Sequence, residues 1–441
     1  MDGPIDLPPE EIEITERQVS RLRRKFHQLA EPGWCEYQTT CAIVKELADL
    51  SFDIFTGEDV TWEEARMGPP PELIDDYFFK KAEENQVPEE LLEKLKGGRT
   101  GVIAVMDTKK PGPHTALRFD IDALPITESG EDDHLPAREQ FRSRQEGSMH
   151  ACAHDGHTAI GIALAHLLHA LRDRLSGKFT LIFQPAEEGS RGAKSIVDKG
   201  WLNGVDYFLS GHIGIQPMEV GSVAATVSGL LATTKIDCRF EGKSAHAGLN
   251  PHEGKNALLA GAAAALHLET IPPHPEGTTR LNVGTFHAGR GRNIVADEAV
   301  LEIETRGSTN KLNEYVVDQA VNILKSSAAM YGVKEHITIT GEGVSAVCDT
   351  EWIEIAKRAA GRSRREIKII DSLPFGASED AAHMMNRVQE QGGKATYMLY
   401  GTPLPYSHHH TKFDFDEKTL AAAVDTLIHM ILDINAQEDL I

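Results

Sequence analysis

Short apolar runs punctuate the chain. "TGVIAVMD" (100–107), "HTALRFDID" (114–122), "KFTLIFQPAEE" (178–188), "VDYFLSGHIG" (205–214) and "KATYMLYGTP" (394–403) are rich in Val, Ile, Leu and Phe, and each ends in a polar or glycine-bearing turn. They read as buried strands. Between the second and third lies "HTAIGIALAHLLHALRDRL" (157–175), long and apolar enough for a packed helix. This alternation predicts an α/β fold built on a mostly parallel sheet. In such sheets ligands bind beyond the carboxyl ends of the strands, where Asp120, Asp122, Glu187, Glu188 and His212 fall.

The rhythm changes in the middle of the chain. From about Leu231 to Glu342 the pattern gives a strand ("TTKIDCRFEG"), a helix ("GKNALLAGAAAALHLET"), two strands ("TRLNVGTFHAG", "AVLEIETRG"), a helix ("LNEYVVDQAVNILKSSAAMYG") and a strand ("EHITITGEG"). That order is the β-α-β-β-α-β of a ferredoxin-like α+β unit. Residues 231–342 are therefore expected to form an inserted domain, with 1–230 and 343–441 as the main one. A smaller insertion, 56–98, contains the proline-started, charged and helical "GPPPELIDDYFFKKAEENQVPEELLEKLKGG" and is expected to cap or flank the site.

Composition agrees with a folded chain: 441 residues are enough for two domains, 41% are hydrophobic and 25% charged. No apolar run reaches the roughly 18 residues of a membrane span, and the first 30 residues lack the apolar core of a signal peptide, so a cytoplasmic location is expected. The five cysteines, Cys35, Cys41, Cys152, Cys238 and Cys348, are scattered and odd in number, which argues against a disulfide framework. A formal charge of -22 argues against nucleic acid or an anionic membrane as partner. An anionic ligand would have to be met by local arginines or by a metal.

The densest chemistry is in "SMHACAHDGHTAIG" (148–161), with one thiol, three imidazoles and an aspartate. Cys152 and His154, two apart, can be aimed by a loop at one point, and thiolate with imidazole suits zinc or another divalent transition metal. The adjacent carboxylates Glu187 and Glu188 follow a strand directly; one could bind metal while the other acts as general base. His212 ends another strand, and "YSHHHTKFDFDE" offers His408, His409 and His410. Each segment alone is also compatible with a structural role: a buried thiol, an exposed acidic pair, a polar loop. Together the ligand-rich strand ends converge on one crevice and predict a metal site.

"MHACAHDGHTA", "PAEEGSRGAK", "GHIG", "SAHAG" followed by "NALLA", "GRNIV" with "ETRG" beyond it, and "SHHHTKFDFDE" resemble the dinuclear metallopeptidases that include glutamate carboxypeptidases, aminoacylases and auxin-conjugate amidohydrolases. "LRRKFHQLAEPGWCEYQTT" (22–40) resembles the amidohydrolase branch, and the segment 56–98 its aminobenzoyl-glutamate-utilising members. The resemblance implies a zinc-peptidase-like catalytic domain whose inserted unit serves dimerisation. It also implies two divalent metal ions, manganese or zinc, with Cys152 bridging, His154 and His212 completing one site, and Glu188 and His409 the other. His409 is preferred over His408 because it keeps a four-residue offset to Phe413. Glu187 would be the general base, and His150, Asp155 and His157 would orient the ligands. His246 would stabilise the oxyanion across a dimer interface, and Asn293 and Arg306 would grip the substrate carboxylate or the oxyanion.

The implied reaction is hydrolysis of an N-acyl amino acid, p-aminobenzoyl-glutamate first, with indoleacetyl-aspartate or broad N-acyl amino acid hydrolysis as alternatives. A homodimer, or a pairing with a homologous second subunit, is expected. Two other classes stay open: a cysteine hydrolase with Cys152 as nucleophile, and a non-catalytic partner subunit. One departure from the family pattern stands out. Cys152-Ala153-His154 occurs where relatives have Cys-Gly-His, so Ala153 is strained if the position needs positive φ.

Overall fold

The computed structural model describes residues 16–436; the outermost parts of the expected main domain, 1–15 and 437–441, lie outside the described residues. Twelve strands form two sheets among these residues. The large sheet contains β1 (Asp53–Phe55), β2 (Val102–Asp107), β3 (His114–Asp120), β4 (Lys178–Gln184), β5 (Tyr207–Ile213), β6 (Ser222–Ser228), β11 (Lys368–Pro374) and β12 (Lys394–Tyr400). Their order is β1-β2-β4-β3-β5-β12-β6-β11. The central run β4-β3-β5-β12 is parallel, as is the β6-β11 pair. Pairings of β1 with β2, β2 with β4 and β12 with β6 are antiparallel. The fold is thus α/β with a large, mostly parallel sheet.

Helices cover both faces of that sheet, which is why its strands read as continuous apolar runs rather than alternating ones. In β4, Phe179, Leu181 and Phe183 face one core, shared with the helices His154–Leu171, Glu351–Arg362 and Lys418–Asn435. Ile182 faces the other, with the helices Ala193–Lys199 and Ala382–Glu390. In β12, Met398 and Tyr400 point one way, and Ala395, Tyr397 and Leu399 the other. Each large side chain buried this way stabilises the fold by about 1.5–3 kcal/mol.

The second sheet is antiparallel, in the order β10-β7-β9-β8, from β7 (Ala232–Glu241), β8 (Thr279–Ala288), β9 (Glu298–Gly307) and β10 (Lys334–Gly343). The helices Ala257–Leu268 and Asn310–Tyr331 pack on one face, over Ile236, Cys238, Phe240, Leu301 and Ile303. The segment 56–98 contributes the helices Glu72–Glu84 and Glu89–Leu95, whose Phe78, Ala82, Leu92 and Leu95 form a small core with Cys35, Tyr37 and Cys41. No helix of the described residues is long and apolar enough to cross a membrane.

Candidate metal centre

The strand ends expected to carry chemistry do meet. Beyond β3, Asp122 accepts the backbone N–H groups of Glu187 (3.1 Å) and Glu188 (2.9 Å), so one carboxylate fixes the loop that follows β4. The Asp122 carbonyl accepts from Nδ1 of His154 at 2.8 Å, which leaves Nε2 of that ring free for a ligand. His212, at the end of β5, donates its Nδ1 proton to the Ile213 carbonyl and turns Nε2 to within 3.5 Å of the Cys152 sulfur. His409 comes from the loop after β12, with Nε2 3.5 Å from Glu188 Oε1.

Ligand atoms of Cys152, Glu188 and His409 lie within 4.8 Å of one another, as do those of His154, Glu187 and Glu188, of His154, His157 and His212, and of Cys152, His212 and His408. His408 also meets the Ile213 carbonyl through Nε2, at 3.4 Å. His157 donates Nδ1–H to Asp120 (2.5 Å) and accepts the Ile213 N–H at Nε2 (2.9 Å), so both of its nitrogens are used.

The donor set fits divalent cations. Nε2 of His154 and Oε1 of Glu188 are buried with no hydrogen-bond partner, a costly state unless something else satisfies them. The electrostatics agree. Burial, then the Glu188 carboxylate, pushes the Cys152 thiol well up. Burial, then Glu379, Glu188 and Asp380, pushes Glu187 well up, and burial raises Glu188 to about 7. An anion-rich pocket of this kind is stabilised by cations.

A buried ionic network supports the helix that starts at His154. Asp155 accepts from Arg23 Nε at 2.7 Å and from His27 Nδ1 at 2.8 Å, and His27 Nε2 donates to Glu128 at 2.9 Å. Burial opposes charge on His27, but the bonds to Asp155 and Glu128 outweigh it and lift its pKa to about 9. His150, also buried, has neither ring nitrogen hydrogen-bonded. Ala153 adopts φ 65°, ψ 12°, the left-handed region.

The remaining expected residues lie on the second sheet and its loops. His246 and Ile294 form an isolated bridge, and the Asn293 carbonyl accepts the Ala247 N–H at 3.0 Å, so His246 and Asn293 sit side by side, both exposed. Nδ1 of His246 accepts the N–H groups of Gly248 and Leu249, which in the neutral ring leaves the proton on Nε2. Arg306, on β9, is held by Glu304 through both Nε (3.0 Å) and a terminal nitrogen (3.1 Å). None of the three belongs to the ligand clusters.

Pattern reading missed several residues. Arg118 on β3 donates to Gln184, Asp120, Glu379 and Asp380, all buried; Tyr397 donates to Glu379. Asp380 also accepts from the backbone of Gly192 and Ala193, which places Glu379 and Asp380 behind Glu187. Glu36 accepts from the Ala186 N–H and from Thr100. An acidic pair in a loop, as in "SED" (378–380), has no spacing signature, and only strand order brings it here.

A profile of the peptidase family M20/M25/M40 matches residues 116–433. The chain belongs to this family. It is 44% identical over 411 residues to an indole-3-acetyl-aspartic acid hydrolase of Enterobacter agglomerans, covering 93% of this chain and 94% of that one. It is 42% identical to one of the subunits of the p-aminobenzoyl-glutamate hydrolase of Escherichia coli, covering 94% and 95%. Among solved structures, an aminobenzoyl-glutamate utilization protein from Klebsiella pneumoniae superposes with a TM-score of 0.80 at 37% identity, over 97% of this chain and 98% of that one. The likeness reaches well beyond the ligand motifs, since the two relatives align over 93% and 94% of this chain.

Proposed function

We propose that the protein is a metal-dependent amide hydrolase that cleaves an N-acyl amino acid with an acidic side chain, p-aminobenzoyl-glutamate first, into the aromatic acid and the free amino acid. The observation that carries this reading is the convergence of the orphaned His154 Nε2 and Glu188 Oε1 with Cys152, Glu187, His212 and His409 at the strand ends. The substrates for which the two relatives are named share an acidic amino-acid half.

Cys152, His154, His212, Glu188 and His409 would hold two divalent ions, zinc or manganese. When bound, such ions supply Lewis acidity to the scissile carbonyl and to water. Glu187 takes the proton of the attacking water and delivers it to the departing amine nitrogen, so that one water is consumed and one amide bond is broken. His246 donates its Nε2 proton to the carbonyl oxygen as negative charge develops there. Because His246 and Asn293 are exposed and outside the ligand clusters, we assign them to the site of the partner protomer within a dimer.

Release of p-aminobenzoate is measured after chelation and after re-addition of zinc or manganese. Activity that vanishes and returns with the metal is expected; activity that survives chelation but is lost to iodoacetamide overturns the reading in favour of cysteine chemistry. Indoleacetyl-aspartate is the second reading, favoured by the 44% relative. A tenfold higher kcat/KM on it than on p-aminobenzoyl-glutamate would replace the substrate named here.

A further inference from the structure

Three residues after Glu188, Arg191 carries a guanidinium whose surroundings set it apart from the other charges near the site. Its Nε donates to the Glu188 carbonyl at 2.8 Å and one terminal nitrogen donates to the Gly68 carbonyl at 2.9 Å. An arginine has five N–H donors, so three remain, all on the two terminal nitrogens. No carboxylate of the described residues forms an ion pair with it. Arg23, Arg118, Arg306 and Lys235, by contrast, all have acidic partners.

The side chain occupies a built seat. A Cβ at Gly33 would come within 2.3 Å of its second terminal nitrogen, and a Cβ at Gly68 within 2.8 Å of its Cδ, so the side chain lies close against both glycines. Arg191 lines a cleft of about 580 Å3 between the Gly68–Pro71 stretch of the 56–98 insertion, the loop after Glu188 and the polar face of the second sheet. That volume lies within the range of small-molecule clefts, about 300–1,000 Å3. Lys235 on the opposite wall is occupied by Glu304, and Asp237 and Glu302 beside it repel an anion. A carboxylate entering this cleft is therefore confined to the Arg191 side.

We propose that Arg191 is a specificity-determining residue: its free guanidinium edge receives, two N–H groups to two oxygens, the side-chain carboxylate of the amino-acid half of the substrate. This assignment rests on the acidic N-acyl amino acid reading above. It moves that recognition away from Arg306, whose fork is already filled by Glu304. Planar bidentate recognition is what separates arginine from lysine at such a position.

The test uses the full-length, metal-loaded protein with two substrates that share one acyl group, p-aminobenzoyl-glutamate and p-aminobenzoyl-alanine. In the parent, kcat/KM favours the glutamate conjugate. Arg191→Ala is expected to lower the glutamate-to-alanine ratio by about 30-fold or more, the loss lying in KM, and to weaken inhibition by free glutamate similarly; Arg191→Lys keeps an intermediate ratio. Metal content is measured alongside. A parallel fall on both substrates, with lost metal, assigns Arg191 to holding the Glu188 loop and overturns the proposal, as does an unchanged ratio. A parent that prefers the alanine conjugate, or cleaves neither, instead sinks the acidic-substrate reading and the Arg191 assignment with it.

Discussion

At the scale of single residues, the site combines strain with crowded charge. Ala153 is an L-residue in the left-handed region directly before the His154 helix, and Ala186 and His409 share positive φ nearby. Such conformations cost about 1–2 kcal/mol each and gather where geometry serves chemistry. Ala153→Gly is expected to stabilise the protein by about 1 kcal/mol, read as a higher midpoint of thermal unfolding; an unchanged or lower midpoint would show that the alanine is relaxed there. Glu187→Gln is expected to keep bound metal and lower turnover at least about a hundredfold, the usual scale for a general base. A variant with near-parental turnover would remove Glu187 from that role. Cys152, His154, Glu187, Glu188, His212 and the two late histidines were legible because each lies at or just beyond the end of an apolar run or in a ligand-rich loop. Glu379, Asp380 and Arg118 were not, since their contacts depend on strand order.

At the scale of elements, the helix Glu16–His27 matters because it lays Arg23 and His27 against Asp155, the second residue of the His154–Leu171 helix. Arg23 also bonds Asp414, at 2.6 Å, which ties in the loop after His409. Removing one partner of a buried pair leaves the other charge uncompensated. Arg23→Met is expected to destabilise by about 3–5 kcal/mol and to loosen His154 and His409 together, seen as weaker metal retention on dialysis.

The same network carries a pH signature. The folded pKa of His27, about 9, lies above the ordinary 6.5, so its charge stabilises the protein fully below 6.5 and that stabilisation is lost as pH rises through about 9. Thermal midpoints should fall from about pH 6.5 to about pH 9, and a His27→Gln variant should show a lower midpoint near neutral pH with a smaller fall. Equal falls in both proteins would place the titration elsewhere.

At the scale of the whole molecule, the second sheet presents an unusual surface. Leu258, Leu259 and Leu266 on the helix Ala257–Leu268, with Phe286 on β8, are exposed, Leu266 at 73%, and β8 is an unpaired edge. Exposed apolar side chains beside a free edge suit association with a second copy, in keeping with the dimer proposed above. Leu259→Glu with Leu266→Glu is expected to give monomers by light scattering, with metal retained and kcat reduced. Mixing His246→Ala with Glu187→Gln protein should recover activity only if His246 acts across the interface; no recovery would place it outside the partner's site.

The element alternation and the location of the ligands at strand ends are legible in the residue order, because burial on both faces writes itself as continuous apolar runs and turns mark where they stop. That order also carried the family, through motifs spread over most of the chain. The strands β6 and β11 were not legible in the sequence: β11, at the sheet edge, is largely exposed, and "SVAATVS", though as long as β3 or β4, is built from small residues. Chain folding in three dimensions sets which carboxylates share a pocket, that Arg306 is paired with a carboxylate while Arg191 meets only backbone carbonyls, and that His246 stands apart from the ligands. These are properties of distance between segments remote in sequence, and local pattern holds no record of such distances.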